Sequence, residues 1–247
     1  MDLELSGKTA IVTGGSRGIG KAIARELALE GVDVAISART LEPLETASRE
    51  LSQETGRRII PIQVDTGEDE SVRDMVRIAS DALGHLDILV NCAALPGGAT
   101  PPPSLSEITN DHFWSDMNIK VMGYLRCARE TAPHMIQQGW GRIINISGLA
   151  ARQSGSTIGS MRNVALVAMT KNLAVQIRVH PSRSQFTMAL ANDEPHLWQN
   201  LPRGVLFSKV PSKPITFFSR GNVAPAGTFI LKNERGQIRV IVSISGR

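Results

Sequence analysis

The sequence predicts a doubly wound α/β fold, with helices covering a parallel sheet. Short apolar and β-branched runs, such as Thr9–Thr13, alternate with helical patterns, such as Ile19–Glu30, over residues 1–177. Buried parallel strands are continuous apolar runs, and each needs a crossover helix to reach the next strand. The length of 247 residues suits one domain of this class, so residues 1–247 are predicted to form a single domain.

Each element is predicted from its own pattern. The strands are apolar runs bounded by turn residues, at Thr9–Thr13, Val32–Ser37, Ile59–Val64, Leu86–Asn91 and Arg142–Ile146. The helices show a helical period, at Ile19–Glu30, Leu44–Thr55, Ser71–Leu83 and His112–Gln138. Four prolines and two glycines in Pro96–Pro103 exclude a helix or a central strand, so this segment is predicted to be a surface loop.

The composition changes near Arg178. Residues 1–177 contain 17 Lys and Arg against 20 Asp and Glu, whereas residues 178–247 contain 10 against 3. The tail also holds five of the six phenylalanines and six of the thirteen prolines. Its one clear pattern, Thr228–Leu231 and Gln237–Ser245 around a turn at Asn233–Gly236, predicts an antiparallel hairpin. The carboxyl-terminal segment is therefore atypical of a doubly wound fold.

Composition also argues against several functions. The basic excess is confined to the tail, where no aromatic and basic stacking motif accompanies it, so nucleic acid is not expected as a partner. No apolar stretch of about 18 residues is present, and the acidic start at Asp2 and Glu4 is unlike a secretory signal. We therefore expect a cytoplasmic protein without a membrane span. Cys92 and Cys127 are expected to be buried packing residues, and the five histidines have no metal-ligand spacing.

A glycine-rich turn, Gly14–Gly20, lies between the first strand and the first helix. Glycines let the backbone approach a pyrophosphate, and the free amides and dipole of the helix start favour its negative charge. This placement predicts a dinucleotide site. A P-loop is the alternative, since Gly15–Lys21 reads Gly-x-x-x-x-Gly-Lys, but Ala22 follows where Ser or Thr would hold Mg²⁺.

Thr13–Gly20 matches the Thr-Gly-x-x-x-Gly-Ile-Gly fingerprint in full, and with it the chain resembles the short-chain dehydrogenase/reductase family over about residues 5–177. Asn91–Ala94 and Gly141–Ser147 are similar to further motifs of that family. The resemblance implies a Rossmann-type sheet and hydride transfer between a nicotinamide cofactor and a carbonyl or alcohol. It implies that the cofactor-binding residues include Gly14, Ser16, Arg17, Gly18, Ile19, Gly20, Arg39, Asp65, Asn91 and Ala93.

The choice of cofactor is predicted from charge at the end of the second strand. A carboxylate there would bind a ribose 2′-hydroxyl, whereas Ser37–Arg39 ends in a cation. Arg39 and Arg17 together could clamp a 2′-phosphate. NADP(H) is therefore favoured over NAD(H). The alternative is that both residues are ordinary solvated arginines.

The catalytic positions depart from the family. The resemblance implies catalytic roles for Asn118 and Ser147, but Gly159 stands where the family has its tyrosine and Asn163 where it has its lysine. A phenol can be tuned toward neutrality by a nearby cation, and an aliphatic hydroxyl cannot be tuned so easily. The one tyrosine, Tyr124, lies six residues after Asn118 on a different helix face, so it is expected to pack.

Two interpretations of these departures stay open. Replacement chemistry could use the hydroxyls of Ser156, Thr157 and Ser160 with Arg162 as a cation, and Gly148 stands where the family's serine is often found. Alternatively, these residues cap or line the next helix. The first interpretation is an NADP(H)-dependent oxidoreductase with altered chemistry, and the second is a noncatalytic NADP(H)-binding pseudoenzyme or scaffold.

The resemblance also implies partners. Family members assemble through the long helix and the helix of the catalytic positions, so a homo-oligomer acting on a small-molecule carbonyl or alcohol is expected. The family's sixth strand ends in Pro-Gly, to which Val179–Ser182 is only faintly similar. The tail is therefore predicted to be divergent or frame-shifted, which would leave one flank of the sheet uncovered.

Overall fold

The computed structural model describes residues 3–95 and 102–175, and beyond them the backbone of a series of short strands between residues 177 and 242. Two compact units are distinguished, Met1–Thr170 and Lys171–Arg247. Most of the loop predicted at Pro96–Pro103 lies outside the described residues.

Five parallel strands form the sheet of the first unit. They are β1 (Thr9–Thr13), β2 (Asp33–Ala38), β3 (Ile59–Gln63), β4 (Ile88–Asn91) and β5 (Arg142–Asn145). Their order across the sheet is β3-β2-β1-β4-β5, and every neighbouring pair is parallel. This order confirms the predicted doubly wound, Rossmann-type fold. The direction of winding reverses between β1 and β4, which opens a crevice at the carboxyl ends of these strands, where such folds bind ligands.

Helices connect these strands and cover them. They are α1 (Gly18–Leu29), α2 (Leu41–Thr55), α3 (Asp69–Leu83), α4 (Asn110–Asp116), α5 (Gly123–Gln138) and α6 (Thr157–Val175). Fully buried Ala24 and Leu44 pack with Ile36 in the core, where each large apolar side chain contributes about 1.5–3 kcal/mol through burial. In the part of the chain that is described, no helix is both long and apolar enough to cross a bilayer.

The predicted helix His112–Gln138 is interrupted. Between α4 and α5 the segment Met117–Met122 is π-helical, so its hydrogen bonds span one residue more than those of an α-helix. Such wide turns occur frequently at functional sites. This one carries Asn118, which the family resemblance places in the active site.

Strand β5 forms an edge of the parallel sheet. It pairs with β4 through Arg142–Asn145, and no described strand pairs with its other side. Ile144 is 46% exposed there. A strand edge with an exposed apolar side chain can pair with another chain. Among the described strands, the parallel sheet therefore ends at β5.

The strands of the second unit are antiparallel. Strands β6 (Ile177–His180), β7 (Gln185–Met188) and β8 (Gln199–Asn200) form one sheet, and β10 (Thr216–Phe217) pairs with β11 (Val223–Ala224). Strand β12 (Gly227–Asn233) pairs with β13 (Gly236–Val242) and with β9 (Leu206–Lys209). The pairing of Asn233 with Gly236 closes the β12–β13 connection and confirms the predicted hairpin.

Candidate functional site

The glycine turn follows β1 directly and leads into α1. Gly18 has a φ of +57°, a left-handed conformation that favours glycine. A Cβ on Gly20 would lie 2.2 Å from the Gly14 carbonyl oxygen, so a larger residue cannot pack there. Ser16 is half-buried in the turn, and Ile19 is 64% exposed. The first amides of α1 have no partners inside the helix, which suits them to an anionic group.

Thr13 holds the turn beside the end of β4. Its buried hydroxyl oxygen accepts hydrogen bonds from the amides of Cys92 at 3.0 Å and Ala93 at 3.1 Å. The Ala93 backbone lies against the turn, since a Cβ on Gly14 would be 3.1 Å from Ala93 Cα. One side chain therefore fixes the two backbone segments that border the crevice.

A groove lies at the carboxyl ends of β2 and β3. It has a volume of about 370 Å³ and is lined by Arg39, Gln63, Val64, Asp65 and Ser71. The Asp65 carboxylate accepts a hydrogen bond from the Gly67 amide at 2.8 Å, which fixes its orientation at the rim. Asp65 is thus brought together with Arg39, as a site for an adenosine group requires.

The two arginines of the predicted phosphate clamp are both exposed. Arg17 precedes α1 directly, and Arg39 follows β2. Within residues 3–95 and 102–174, no acidic side chain forms an ion pair with either of them. Both guanidinium groups are therefore open to an external anion.

Asn91 lies beneath the site. It is fully buried, and its Nδ2 donates a hydrogen bond to Asn145 Oδ1 at 2.9 Å. The Asn145 amide in turn donates to the Thr170 hydroxyl at 2.9 Å. This chain of contacts joins the ends of β4 and β5 to α6. The Asn91 side chain therefore supports the strand ends, and its role in cofactor binding stays a prediction.

Ser147 and Asn163 meet where β5 leads toward α6. Ser147 is exposed, and its hydroxyl donates to the Asn163 carbonyl oxygen at 3.4 Å. The Asn163 side chain is 3% exposed, and its Nδ2 donates to the Gly159 carbonyl oxygen at 2.7 Å. The position that corresponds to the family's lysine thus contacts Ser147 directly, and the position that corresponds to its tyrosine is bonded to Asn163.

Two of the other proposed replacement groups, Ser156 and Arg162, are already engaged. The Ser156 hydroxyl accepts a hydrogen bond from the Gly159 amide at 3.0 Å, which makes it a cap for the start of α6. Arg162 forms an ion pair with Asp116. Its charge is therefore balanced by a carboxylate from the end of α4.

Asn118 points to a different part of the molecule. Its Nδ2 donates to the Gly67 carbonyl oxygen at 3.2 Å, and its own carbonyl oxygen accepts from Arg126 at 3.1 Å. No hydrogen bond joins it to Ser147 among the described residues. The structure thus places Asn118 against the turn after β3, and it does not bring the two predicted catalytic residues together.

Lys120, which sequence reasoning missed, reaches the catalytic region instead. Its Nζ donates to Asn163 Oδ1 at 2.9 Å, and the residue is 6% exposed. Side chains two positions apart on a helix point to nearly opposite sides, so Lys120 faces α6 while Asn118 faces away. Burial lowers the pKa of Lys120, and the positive charge of Arg162 lowers it further.

Tyr124 and the two cysteines are not poised for acid–base work. Tyr124 is fully buried, its hydroxyl donates to the Ile146 carbonyl oxygen at 3.3 Å, and burial raises its pKa. The prediction that it packs is confirmed. Burial raises the pKa of Cys127 to about 12. Cys92 is half-buried, so the prediction that both cysteines are buried holds for Cys127 alone, and burial also raises the pKa of the Cys92 thiol.

Comparison with known proteins identifies relatives of this chain. The sequence model of the short chain dehydrogenase family matches residues 8–181. Glycine betaine reductase ATRR of Emericella nidulans is 36% identical over 149 residues, which are 60% of this chain and 11% of the relative. NADPH-dependent reductase BacG of Bacillus subtilis is 30% identical over 179 residues, 71% of this chain and 68% of the relative.

A solved structure has the same fold. L-Sorbose reductase from Gluconobacter frateurii, complexed with NADPH and L-sorbose, is 33% identical with a TM-score of 0.66, over 71% of this chain and 66% of that chain. The chain therefore matches just under two thirds of the sorbose reductase and a small part of the betaine reductase. With the strand order and the glycine turn, the match over residues 8–181 shows that the chain belongs to the short chain dehydrogenases, an oxidoreductase family.

Proposed function

We propose that the chain binds NADP(H) and transfers hydride to or from a small carbonyl or alcohol. The observation that carries the proposal is the pair of exposed guanidinium groups of Arg17 and Arg39, which have no ion pair within residues 3–95 and 102–174. A planar guanidinium binds phosphate through two parallel hydrogen bonds, and no carboxylate ends β2 to repel it. Two of the similar proteins support the choice of NADP(H), since one is named an NADPH-dependent reductase and the other was solved as a complex with NADPH.

The residues of the crevice fit a dinucleotide. Because Gly20 has no Cβ, the start of α1 packs directly against the Gly14 carbonyl, which gives the tight turn that a pyrophosphate site needs. Gly14, Ser16 and Gly18 would surround that group, and the exposed apolar side chain of Ile19 offers a face for a ring. The groove at Asp65 would hold the adenosine end.

The catalytic half of the crevice would orient a substrate. When bound, the nicotinamide supplies or accepts the hydride. The exposed Ser147 hydroxyl would exchange its long hydrogen bond to the Asn163 carbonyl oxygen, 3.4 Å, for one to the substrate oxygen. A donor placed there favours the negative charge that develops on that oxygen. Gly159 carries no hydroxyl, so proton transfer cannot use the family's tyrosine.

The test is a titration of the full chain with NADPH and with NADH, followed by nucleotide fluorescence. Arg39→Ala should weaken NADPH binding by roughly 10- to 100-fold and leave NADH binding nearly unchanged, since hydrogen bonds to charged groups contribute about 1.5–3 kcal/mol. Arg17→Ala should act in the same direction. Arg77→Ala, an exposed arginine on α3, is the matched control. Equal affinity for both nucleotides would contradict the choice of NADP(H).

A noncatalytic NADP(H)-binding protein is the second candidate function, and Gly159 is the observation that favours it. Incubation with NADPH and a panel of aldehydes and ketones, and with NADP⁺ and alcohols, separates the two candidates. Turnover of any substrate supports the oxidoreductase. Tight NADPH binding with no turnover across the panel supports the binding protein.

We also propose that the chain works as a cytoplasmic homo-oligomer. Met161, Val164 and Val167 of α6 are each about half exposed and recur every three residues, so they form an apolar stripe. Exposed apolar stripes of this kind mark contacts between proteins. A second copy of the chain is the partner proposed for this surface.

A further inference from the structure

Three departures from the family in the catalytic region contact one another. Asn163 Nδ2 donates to the carbonyl oxygen of Gly159 at 2.7 Å. A Cβ on Gly148 would lie 3.1 Å from that same nitrogen. Because Gly148 has no side chain, the Asn163 side-chain amide can pack directly against its backbone. Together these contacts fix the direction of the Asn163 side-chain oxygen.

That oxygen binds a lysine of another segment. Lys120, from the π-helical turn, donates to Asn163 Oδ1 at 2.9 Å and is 6% exposed. An ammonium group has three donors. Within the described residues, the bond to Asn163 is the one hydrogen bond of this group. A buried ammonium with donors left over is costly unless a ligand completes its contacts, so the arrangement indicates a binding site.

The charged neighbours of Lys120 among the described residues are Arg162 and Asp116, and their effects on its pKa oppose each other. Asp116 of α4 pairs with Arg162 of α6, so this carboxylate is already engaged. Cys92, which follows β4, is the remaining titratable neighbour, and burial raises the pKa of its thiol, so it stays neutral near pH 7. Burial and the charge of Arg162 lower the pKa of Lys120, which makes its proton easier to transfer.

We propose that Lys120 supplies the active-site cation and proton that the family obtains from other positions, and that Asn163 is the residue that positions it. This inference rests on the proposed oxidoreductase function. Lys120 belongs to the segment before α5. The family resemblance instead places the lysine on α6, at the position that Asn163 occupies in this chain. Loss of the family's lysine is thereby compensated by a lysine from another segment of the chain.

The proposed step is balanced. In carbonyl reduction, the Lys120 ammonium donates its proton to the substrate oxygen while hydride from the reduced dinucleotide forms the new C–H bond. The carbonyl π pair forms the O–H bond, so the aldehyde or ketone is reduced by two electrons and the dinucleotide is oxidised by two. The neutral amine then takes a proton from water. Alcohol oxidation reverses each transfer.

The experiment compares Lys120→Met, Asn163→Ala and the control Lys171→Met, a lysine on α6. Wild-type carbonyl reduction should fall as pH rises through the Lys120 pKa, because the protonated form is the donor. Lys120→Met should lower kcat by about 100-fold or more and remove this alkaline limb, since a positioned acid contributes about 10²–10⁴-fold. Asn163→Ala should lower kcat by about tenfold and shift the limb. Lys171→Met should change neither kcat nor the alkaline limb of the pH profile.

A second measurement does not depend on turnover. In wild-type protein with ¹³C-methylated lysines, the Lys120 resonance, assigned by its loss in Lys120→Arg, should titrate below the other lysines. It should also shift when NADP⁺ is added. NADP⁺ binding that leaves the resonance unchanged would overturn the inference, even if Lys120→Met fails to fold.

The outcomes distinguish this inference from the function on which it rests. Wild-type protein that binds no dinucleotide contradicts the proposed function itself. Wild-type protein that turns over while Lys120→Met keeps the same kcat and pH profile leaves the function standing and contradicts the role of Lys120.

Discussion

The carboxylate of Asp87 accepts a hydrogen bond of 2.9 Å from the backbone amide of Thr9 and ties the start of β1 to the residue before β4. Asp87 is 2% exposed, and Lys8, His85 and Gln138 also bind its carboxylate. This cluster lies at the amino-terminal ends of the strands, opposite the crevice. It therefore stabilises the sheet without contributing to the site.

Asp87→Ala should destabilise the fold and leave the crevice unchanged. Removing the carboxylate leaves the buried Thr9 amide and the Lys8 ammonium without this acceptor, at a cost of about 2–4 kcal/mol. Urea unfolding measures the change, with Asp81→Ala on the exposed face of α3 as the control. NADPH affinity of the folded variant should equal that of the wild type, and a large loss of affinity would contradict this separation.

Thr13→Val should affect both stability and the site. The substitution keeps the shape of the side chain but leaves the Cys92 and Ala93 amides without their acceptor, at a cost of about 1–3 kcal/mol. NADPH binding should weaken as well, because Ala93 borders the glycine turn. Thr13→Ser keeps the hydroxyl and should retain most of both properties. Thermal unfolding and nucleotide titration give the two measurements.

The Asp69 ion pairs should contribute to stability at neutral pH and lose that contribution in acid. Hydrogen bonds from Arg129, and then from Arg126, lower the pKa of Asp69. A carboxyl with a lowered folded-state pKa stabilises the protein above its unfolded pKa of about 3.9, and this contribution is lost as pH falls through the lower folded value.

Thermal unfolding of the wild type and of Asp69→Asn, measured across pH, tests the direction of this pH dependence of stability. The wild type should have the higher Tm above about pH 4, and the difference should shrink below it. Asp74→Asn, an exposed aspartate on the same helix, is the control. A difference that grows as pH falls would show that the carboxylate acts in another way.

Val164→Glu should weaken self-association if the α6 stripe joins two copies. A charge in the middle of an apolar contact cannot be solvated when the surfaces meet, so the sedimentation coefficient should fall toward the monomer value. Ile78→Glu on α3 is the matched control, because it also replaces an exposed β-branched residue with glutamate. It should leave assembly unchanged. Identical sedimentation of both variants and the wild type would argue against this surface.

Local patterns predicted most of the parallel sheet and the glycine turn. Strand β1 is found at the predicted residues, Thr9–Thr13, because its apolar run is buried along its whole length. The exposure of Arg17 and Arg39 also agrees with their position at element ends. These features depend on neighbours in sequence, so periodicity and turn residues suffice to locate them.

The features that sequence reasoning missed depend on distant contacts. Helical periodicity does not distinguish an α-helical from a π-helical turn, so the interruption at Met117–Met122 was not predicted. A lysine between apolar residues on a helix is ordinarily solvated. The burial of Lys120 depends on Asn163, 43 residues later, and no local pattern records that pairing.

The π-helical segment also sets the rotational phase of α5. Each residue of an α-helix turns the chain by about 100°, so one further residue inserted between Met117 and Met122 would rotate α5 relative to the sheet by about that angle. Tyr124 and Cys127, now fully buried, would turn out of the core. The length of this short segment therefore determines which face of the longer helix the protein can bury, and insertions there should be tolerated far less than in a surface loop.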